Sequence, residues 1–437
     1  MESFAGLIFD KINRSKGLIV RQGAYLFLFQ FFAYLSMCLM TGQIEYLFFY
    51  AFLQIALFSV MVLHRMIYEN AEGLLLNHMC FLLSIGFVIL TRLDFEKAKK
   101  QFFIVIAGLI LVLVLPFLIS KMKFIRHLKW IFGITGIAAL GTVLILGQVT
   151  HGSKISYTIA GITLQPSEFV KIIFVFFIAS LLYRAVTLKE VLVSAIFAAL
   201  HILILVASKD LGSSIIFFVG YLFMLLTATG KYRYLFLGMI LGGIAAVLGY
   251  DLFSHVRVRV QAFLDPFVAI DSEGYQMAQS LFAISNGRWF GIGLFEGTPG
   301  DIPFVTSDFI FSAIAEELGG IFAIALILIC LNCFLVFLKV GTKLEDNFYR
   351  LIAVGIAVMY IFQIFLTIGG GIKFIPLTGV TLPLVSYGGS SVFTTLMIFG
   401  IMQGLYLISE ENMEDEEEEI VVDLKKAEVR RKRNVEE

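Results

Sequence analysis

Apolar residues along this chain come in long runs separated by short polar gaps, and each long run is about the 20 mostly apolar residues that a helix needs to cross a bilayer core. Twelve such runs stand near 23–41, 44–63, 73–91, 102–120, 129–147, 168–183, 190–207, 212–229, 234–250, 308–338, 348–368 and 382–408. The pattern predicts an all-α, polytopic membrane protein of about twelve spans. Residues 1–22 precede the first span, a long polar loop covers 251–307, and a charged tail that composition marks as disordered covers 409–437.

Composition supports this class. Of the 437 residues, 59% are hydrophobic and 45 are Phe, more than a soluble core needs. Lysine plus arginine and aspartate plus glutamate balance at 33 each, and no basic patch interleaved with aromatics suggests a nucleic-acid partner. Cys38, Cys80, Cys330 and Cys333 all fall in apolar runs, as packing residues do. Lys11, Arg14, Lys16 and Arg21 precede a first apolar run that lacks a small-residue cleavage site, so it reads as an uncleaved span.

Cytoplasmic loops retain Lys and Arg. Placing the N-terminus inside puts Arg65, Lys121–Lys129, Arg184, Lys189, Lys231, Arg233, Lys339 and Lys343 inside as well, and leaves the C-terminus cytoplasmic. One loop opposes this: 92–101 carries Arg92, Lys97, Lys99 and Lys100 yet falls outside. The basic cluster Arg430–Arg433 is suited to anionic lipid heads. No nucleotide-binding glycine motif followed by lysine is present.

Polar residues are costly at membrane depth, so those that persist there are candidates for chemistry. Helix from Asp308 onward would set Asp308, Ser312 and Glu316 on one face, although Asp308 with Ser307 equally suits a helix cap. Glu168 and Lys171, three apart after Gln165-Pro166-Ser167, can neutralise each other as a structural pair or serve a substrate. Asp210 sits in a turn beside Lys209, where a cap and a functional group are both open readings. Arg257 and Arg259 point the same way if extended and apart if helical. Guanidinium forks suit diphosphates, and equally suit solvent or lipid phosphate. Two prolines, a Gly pair and several hydroxyls between Ile375 and Ser391 interrupt a membrane segment, and such backbone survives only where protein or a water-filled cavity surrounds it.

Taken together these motifs resemble the SEDS family (shape, elongation, division and sporulation; FtsW/RodA/SpoVE-like). The resemblance rests on Gln165-Pro166-Ser167-Glu168 with Lys171, Asp210-Leu211-Gly212-Ser213, Arg257 and Arg259 before Asp265-Pro266, Gly274-Tyr275-Gln276 with Gln279-Ser280, Asp308-Phe309-Ile310-Phe311 with Glu316-Glu317-Leu318-Gly319, and Leu382 to Ser391. It implies a ten-helix core at 73–408, an additional helical pair within 23–72, and a multi-pass protein of the bacterial cytoplasmic membrane. It also implies a peptidoglycan glycosyltransferase that polymerises lipid II beside a class B penicillin-binding protein, the transpeptidase. Asp308 is then the catalytic residue, a general base. Arg257, Arg259, Glu168, Lys171, Asp210, Gln279, Ser280, Ser386 and Ser390 are the substrate-binding candidates, and the arginines or a divalent cation would receive the diphosphate charge. A lipid II flippase and a non-catalytic scaffold are the alternatives. The chain departs from the family at Ile155-Ser156, where an Arg-Trp pair is usual, at Phe304-Val305-Thr306, and at Thr367.

Overall fold

The computed structural model describes residues 2–436 apart from 122, 151–152, 160–161, 185–186, 269 and 273. An N-terminal hairpin of α1 (Glu2–Thr41) and α2 (Glu45–Ile67) leads to α3 (Gly73–Leu93), α4 (Phe95–Lys121) and α5 (Lys129–Leu146). A three-stranded antiparallel meander follows, β1 (Gln148–Thr150), β2 (Ser153–Ile159) and β3 (Ile162–Leu164), in that order across the sheet. Then come α6 (Pro166–Leu182), α7 (Leu188–Ala207), α8 (Leu211–Thr229) and α9 (Tyr232–Leu252). The polar loop holds two helices, α10 (Ser254–Leu264) and α11 (Tyr275–Gly287), before α12 (Ile310–Lys343), α13 (Asn347–Gly371) and α14 (Gly389–Glu436).

Local chemistry sets several boundaries. Pro166 opens α6, where a missing N–H costs nothing. Thr187 and Glu190 form a capping box on α7. The Asp210 carboxylate accepts from the Ser213 N–H at 3.1 Å to cap α8, which ends at Gly230 with φ 64°.

Eleven helices among the described residues are long and apolar enough to cross a membrane. The hydrophobic runs suggest about twelve, and the difference is α6, which has 17 residues. The last helix, α14, runs from Gly389 through Glu436 and so includes the charged segment. Glu, Lys and Arg are strong helix formers, and no Gly or Pro interrupts the chain after Gly404. The helices α3 and α13 and the apolar part of α14 are the most covered by neighbours, whereas α9 lies outermost.

Two breaks in regular structure shape the interior. α12 is interrupted at Gly319 (φ 89°, ψ 166°). The chain just beyond α11 fills the gap: Ile292 and Gly293 donate to the Glu316 and Glu317 carbonyls, and Gly320 and Ile321 donate to those of Arg288 and Trp289. The second break is 372–388, between α13 and α14, where Leu384 takes φ 65° and its carbonyl and that of Val385 press on Gly86 of α3. Side chains supply the bonds that helix would have made there. Gln101 of α4 donates to the Ser386 carbonyl at 3.2 Å and accepts from Gly388 N–H at 3.0 Å. Gln363 of α13 donates to the Thr381 carbonyl at 3.0 Å.

Candidate functional site

These breaks leave a cavity of about 1150 Å³ between the start of α4, the meander, the α7–α8 turn, α10, α11 and the 377–391 segment. Its lining divides by chemistry. Phe103, Ile104, Ala107, Leu164, Phe169 and Phe393 give an apolar wall. Lys100, Lys209, Asp210, Arg259, Ser307 and Asp308 supply charges and a hydroxyl. Such a volume can take an anionic head with the start of an apolar tail.

Asp308 sits in the turn before α12, half-buried, and its N–H donates to the Phe304 carbonyl at 3.0 Å. Phe304 holds φ 59°, and the turn is tied to the broken segment by the Tyr387 N–H donating to the Thr306 carbonyl at 2.7 Å and by Ser386 Oγ donating to the Ser307 carbonyl. The Asp308 carboxylate and the Arg259 guanidinium both approach one glycine. A Cβ placed on Gly379 would lie 3.6 Å from Asp308 Oδ2 and 3.7 Å from Arg259 Nη2. Arg259 also donates to the Thr378 carbonyl at 3.1 Å. Burial pushes its pKa down from the usual arginine value, and Asp308 and then Asp210 oppose that shift.

Helix from Asp308 onward does not form. α12 begins at Ile310, and Phe309 occupies the cap position without a side-chain bond. Ser312 is consequently turned away from the cavity, buried against Ser280 Oγ at 2.6 Å, and Glu316 is buried beside Gly297. Among the described residues Glu316 Oε2 has no hydrogen-bond partner.

The binding candidates divide in the same way. Arg259, Asp210 and Ser390 line the cavity; Arg257, Glu168, Lys171, Gln279, Ser280 and Ser386 do not. Helical α10 turns Arg257 outward, where it is exposed and donates to the Asp251 carbonyl at 3.3 Å. Glu168 and Lys171 form a buried ion pair at 2.9 Å, and Lys171 also donates to Gln363 Oε1 at 2.6 Å while Thr394 donates to Glu168 at 3.3 Å. This pair fastens α6 to α13 and α14 behind the cavity wall. Ser280 donates to the Gly371 carbonyl at 2.8 Å and Ser386 is fully buried. Ser390 Oγ accepts from the Gln165 N–H at 2.9 Å.

Asp210 is engaged several times over. Besides capping α8 it accepts from Ser167 Oγ at 3.0 Å and Gln165 Nε2 at 3.4 Å. Burial raises its pKa above the usual aspartate value, and the bonds from Ser213 and Ser167 work against that. His255 is pushed below the usual histidine value by burial and then by Arg259 and Lys209. Among the described residues, Asp210 and Asp308 are the carboxylates that line the cavity. Asp210 is engaged with α8 and α6, and among the described residues no group of three or more His, Cys, Asp or Glu stands together as a metal site.

Lys100 and Lys209 line the cavity and are absent from the sequence-derived candidates. Both had a signal. Lys209 adjoins Asp210, in a turn where its φ is 62°, and Lys100 lies next to Gln101 at the entrance of a span that carries more cations than its side of the membrane favours. At the departures from the family pattern, Ile155 lines the cavity, Ser156 is buried, and Thr367 Oγ1 bonds the Gln363 and Val380 carbonyls at 2.9 and 3.0 Å.

Comparison with known proteins adds a family match, two relatives and two solved structures. The family model for FtsW, RodA and SpoVE, described as cell cycle protein, matches residues 73–411. The chain is 31% identical over 361 residues to the peptidoglycan glycosyltransferase RodA of Mycobacterium tuberculosis, covering 76% of this chain and 77% of that protein. It is 31% identical over 330 residues to the probable peptidoglycan glycosyltransferase FtsW of Bacillus subtilis, covering 70% and 80% respectively. Among solved structures it superposes on a chain of a peptidoglycan synthase complex with a TM-score of 0.67 at 24% identity, over 77% of this chain and 97% of that one. The rod shape determining protein RodA of Thermus thermophilus gives 0.59 at 20% identity, over 77% and 96%.

Proposed function

The chain belongs to the FtsW/RodA/SpoVE family, and from that premise we propose that it is a peptidoglycan glycosyltransferase that polymerises lipid II at the outer face of the bacterial cytoplasmic membrane. The observation that carries the chemistry is the approach of Asp308 and Arg259 to the same glycine, Gly379, in a cavity lined by both charged and apolar side chains. Asp308 takes the proton of the acceptor sugar hydroxyl. The oxygen attacks the anomeric carbon of the donor, and the bond from that carbon to the diphosphate oxygen breaks, its electron pair leaving with the polyprenyl diphosphate. A positioned base contributes about two to four powers of ten in rate. Arg259 and Lys209 neutralise the departing charge, and the apolar wall by Phe103 and Phe169 receives the start of the polyprenyl chain.

The orientation that this requires has both termini cytoplasmic. The basic residues that oppose it, Arg92 to Lys100, have local employment: Arg92 pairs with Glu317 at 2.9 Å, Lys97 with Asp94 at 3.2 Å, Lys99 with Glu96, and Lys100 faces the cavity. The orientation therefore rests on the larger number of Lys and Arg in the other loops, which this loop does not outweigh. We assign a class B penicillin-binding protein as the partner, by way of the family. Glu168 and Lys171 act as wall supports, through the ion pair, and not as substrate ligands.

The test is reconstitution of the full chain with its cognate transpeptidase in vesicles carrying labelled lipid II. Glycan strands are the expected product. Movement of label across the vesicle wall with no glycan formed would assign the chain to transport instead.

A further inference from the structure

We propose that the α1–α2 hairpin, which precedes the residues matched by the family model, is a positioning element for the interrupted start of α12, acting through Tyr34 and Phe29. The face that α1 turns to the protein carries more than lipid-like packing. Tyr34 is fully buried, and its hydroxyl bonds Thr91 Oγ1 at 3.0 Å and the Phe87 carbonyl at 3.3 Å on α3. The residue after Thr91 is Arg92. Its guanidinium reaches Glu317 at 2.9 Å and the Gly297 carbonyl at 3.2 Å, and lies 4.4 Å above the Phe295 ring, so it clamps both strands of the break in α12. Glu317 returns the contact by accepting from the Phe295 N–H at 3.2 Å.

Phe29 acts on the other side of the same break. Its ring stacks on Phe322, three residues past Gly319, with centroids 5.4 Å apart, and meets Phe81 of α3 at 5.9 Å. The hairpin is itself held at its far end, where Asn77 of α3 donates to the Ile19 carbonyl at 2.8 Å and accepts from Arg65 at 3.1 Å. Gln54 of α2 donates to Gln30 of α1 to join the two helices.

The joint needs such a brace. Apart from Arg92 and the Glu317 carboxylate, it is closed largely by backbone hydrogen bonds along a stretch that holds Gly291, Gly293, Gly319 and Gly320, which have no side chains to lock the register. Segments of that kind open at low free energy. The turn that carries Asp308 runs directly into this half-helix, so a shift there moves the carboxylate relative to Arg259.

The activity arm of the test rests on the polymerase reading; the structural arm does not. Hydrogen exchange is measured on the full-length chain in lipid nanodiscs, on peptides covering 287–293 and 316–321, for wild type, Tyr34→Phe, Phe29→Ala, Phe29→Leu and Phe52→Ala, the last a residue on the exposed side of α2. Exchange in those peptides is expected to run about fivefold faster in Tyr34→Phe, the factor that the net worth of one hydrogen bond produces, and at least as much faster in Phe29→Ala, which loses its contacts with Phe322 and Phe81. Phe29→Leu should recover most of the protection, Phe52→Ala should match wild type, and peptides of α13 should be unaffected. In the lipid II assay kcat should fall with KM unchanged, through the altered placement of Asp308 relative to Arg259 in the closed joint and not through the small open population. Unchanged exchange in both variants, or equal acceleration in α13 or in Phe52→Ala, overturns the brace even if the chain polymerises. Faster exchange confined to the joint, in a protein that makes no glycan at all, upholds the brace and refutes the polymerase reading.

Discussion

Lys171 offers the sharpest test of how the cavity wall is held. Its ammonium lies 2.9 Å from Glu168 and 2.6 Å from Gln363, and the two charged side chains are 5% and 9% exposed. At an effective dielectric of about 20, charges at that separation attract by about 6 kcal/mol. Desolvation of both ions offsets much of this, so the pair adds little beyond an apolar replacement, but removing one partner strands the other charge. Lys171→Met is therefore expected to cost about 3–5 kcal/mol, and Glu168→Gln combined with it should recover at least half of that loss. The assay is a graded denaturant titration of the purified protein in micelles, giving unfolding midpoints for the two single variants, the double variant and wild type. A loss below about 1 kcal/mol in Lys171→Met, or strict additivity in the double variant, would refute the reasoning.

Three further outcomes follow from the geometry. Gly319→Ala places a Cβ 2.3 Å from the Gly291 nitrogen at a φ of 89°, so it should destabilise by at least about 3 kcal/mol and abolish glycan synthesis, read from the same titration and the lipid II assay. Arg259→Ala should lower polymerisation roughly tenfold to a hundredfold, the worth of one charge-assisted contact, while Arg257→Ala stays within about twofold; steady-state rates distinguish them. Asp210→Ala should cost about 1 kcal/mol as a lost cap, and Asp210→Asn much less. Because Asp210 has a raised pKa in the folded protein, its contribution is fully present below the ordinary aspartate value of about 4 and is lost as pH rises through the folded value. Unfolding midpoints taken upward from pH 4 should therefore decline in wild type and be flatter in Asp210→Asn.

The membrane helices were legible because apolar runs near the span length admit few other structures, and α6 alone fell at the short end. The Glu168–Lys171 pair was legible for a related reason, a spacing of three on a helix. The role of Ser280 was not. Its partner Ser312 is 32 residues away, and nothing local announces that α11 packs against α12. The four-residue spacing of Asp308, Ser312 and Glu316 misled because it assumed helix at 308, whereas the Phe304 turn delays it to Ile310 and frees Asp308 from the helix face. The meander went unseen although Ser153–Ile159 carries β-branched and aromatic residues, because its strands are short and lie between dominant helical signals. Lys100 and Lys209 each carried a local sign, a neighbouring Asp210 and an excess of cations in 92–101, but that the two meet at one cavity depends on the tertiary packing of α4 and the α7–α8 turn.

The decisive measurement is the rate of glycan formation by Asp308→Asn, reconstituted with the transpeptidase and labelled lipid II and compared with wild type at equal folded protein. Replacing the carboxylate by an amide keeps the shape and removes the base, so synthesis should fall by about a hundredfold or more while lipid II binding persists. A variant that elongates glycan at the wild-type rate would show that the proton is taken elsewhere and would contradict the account.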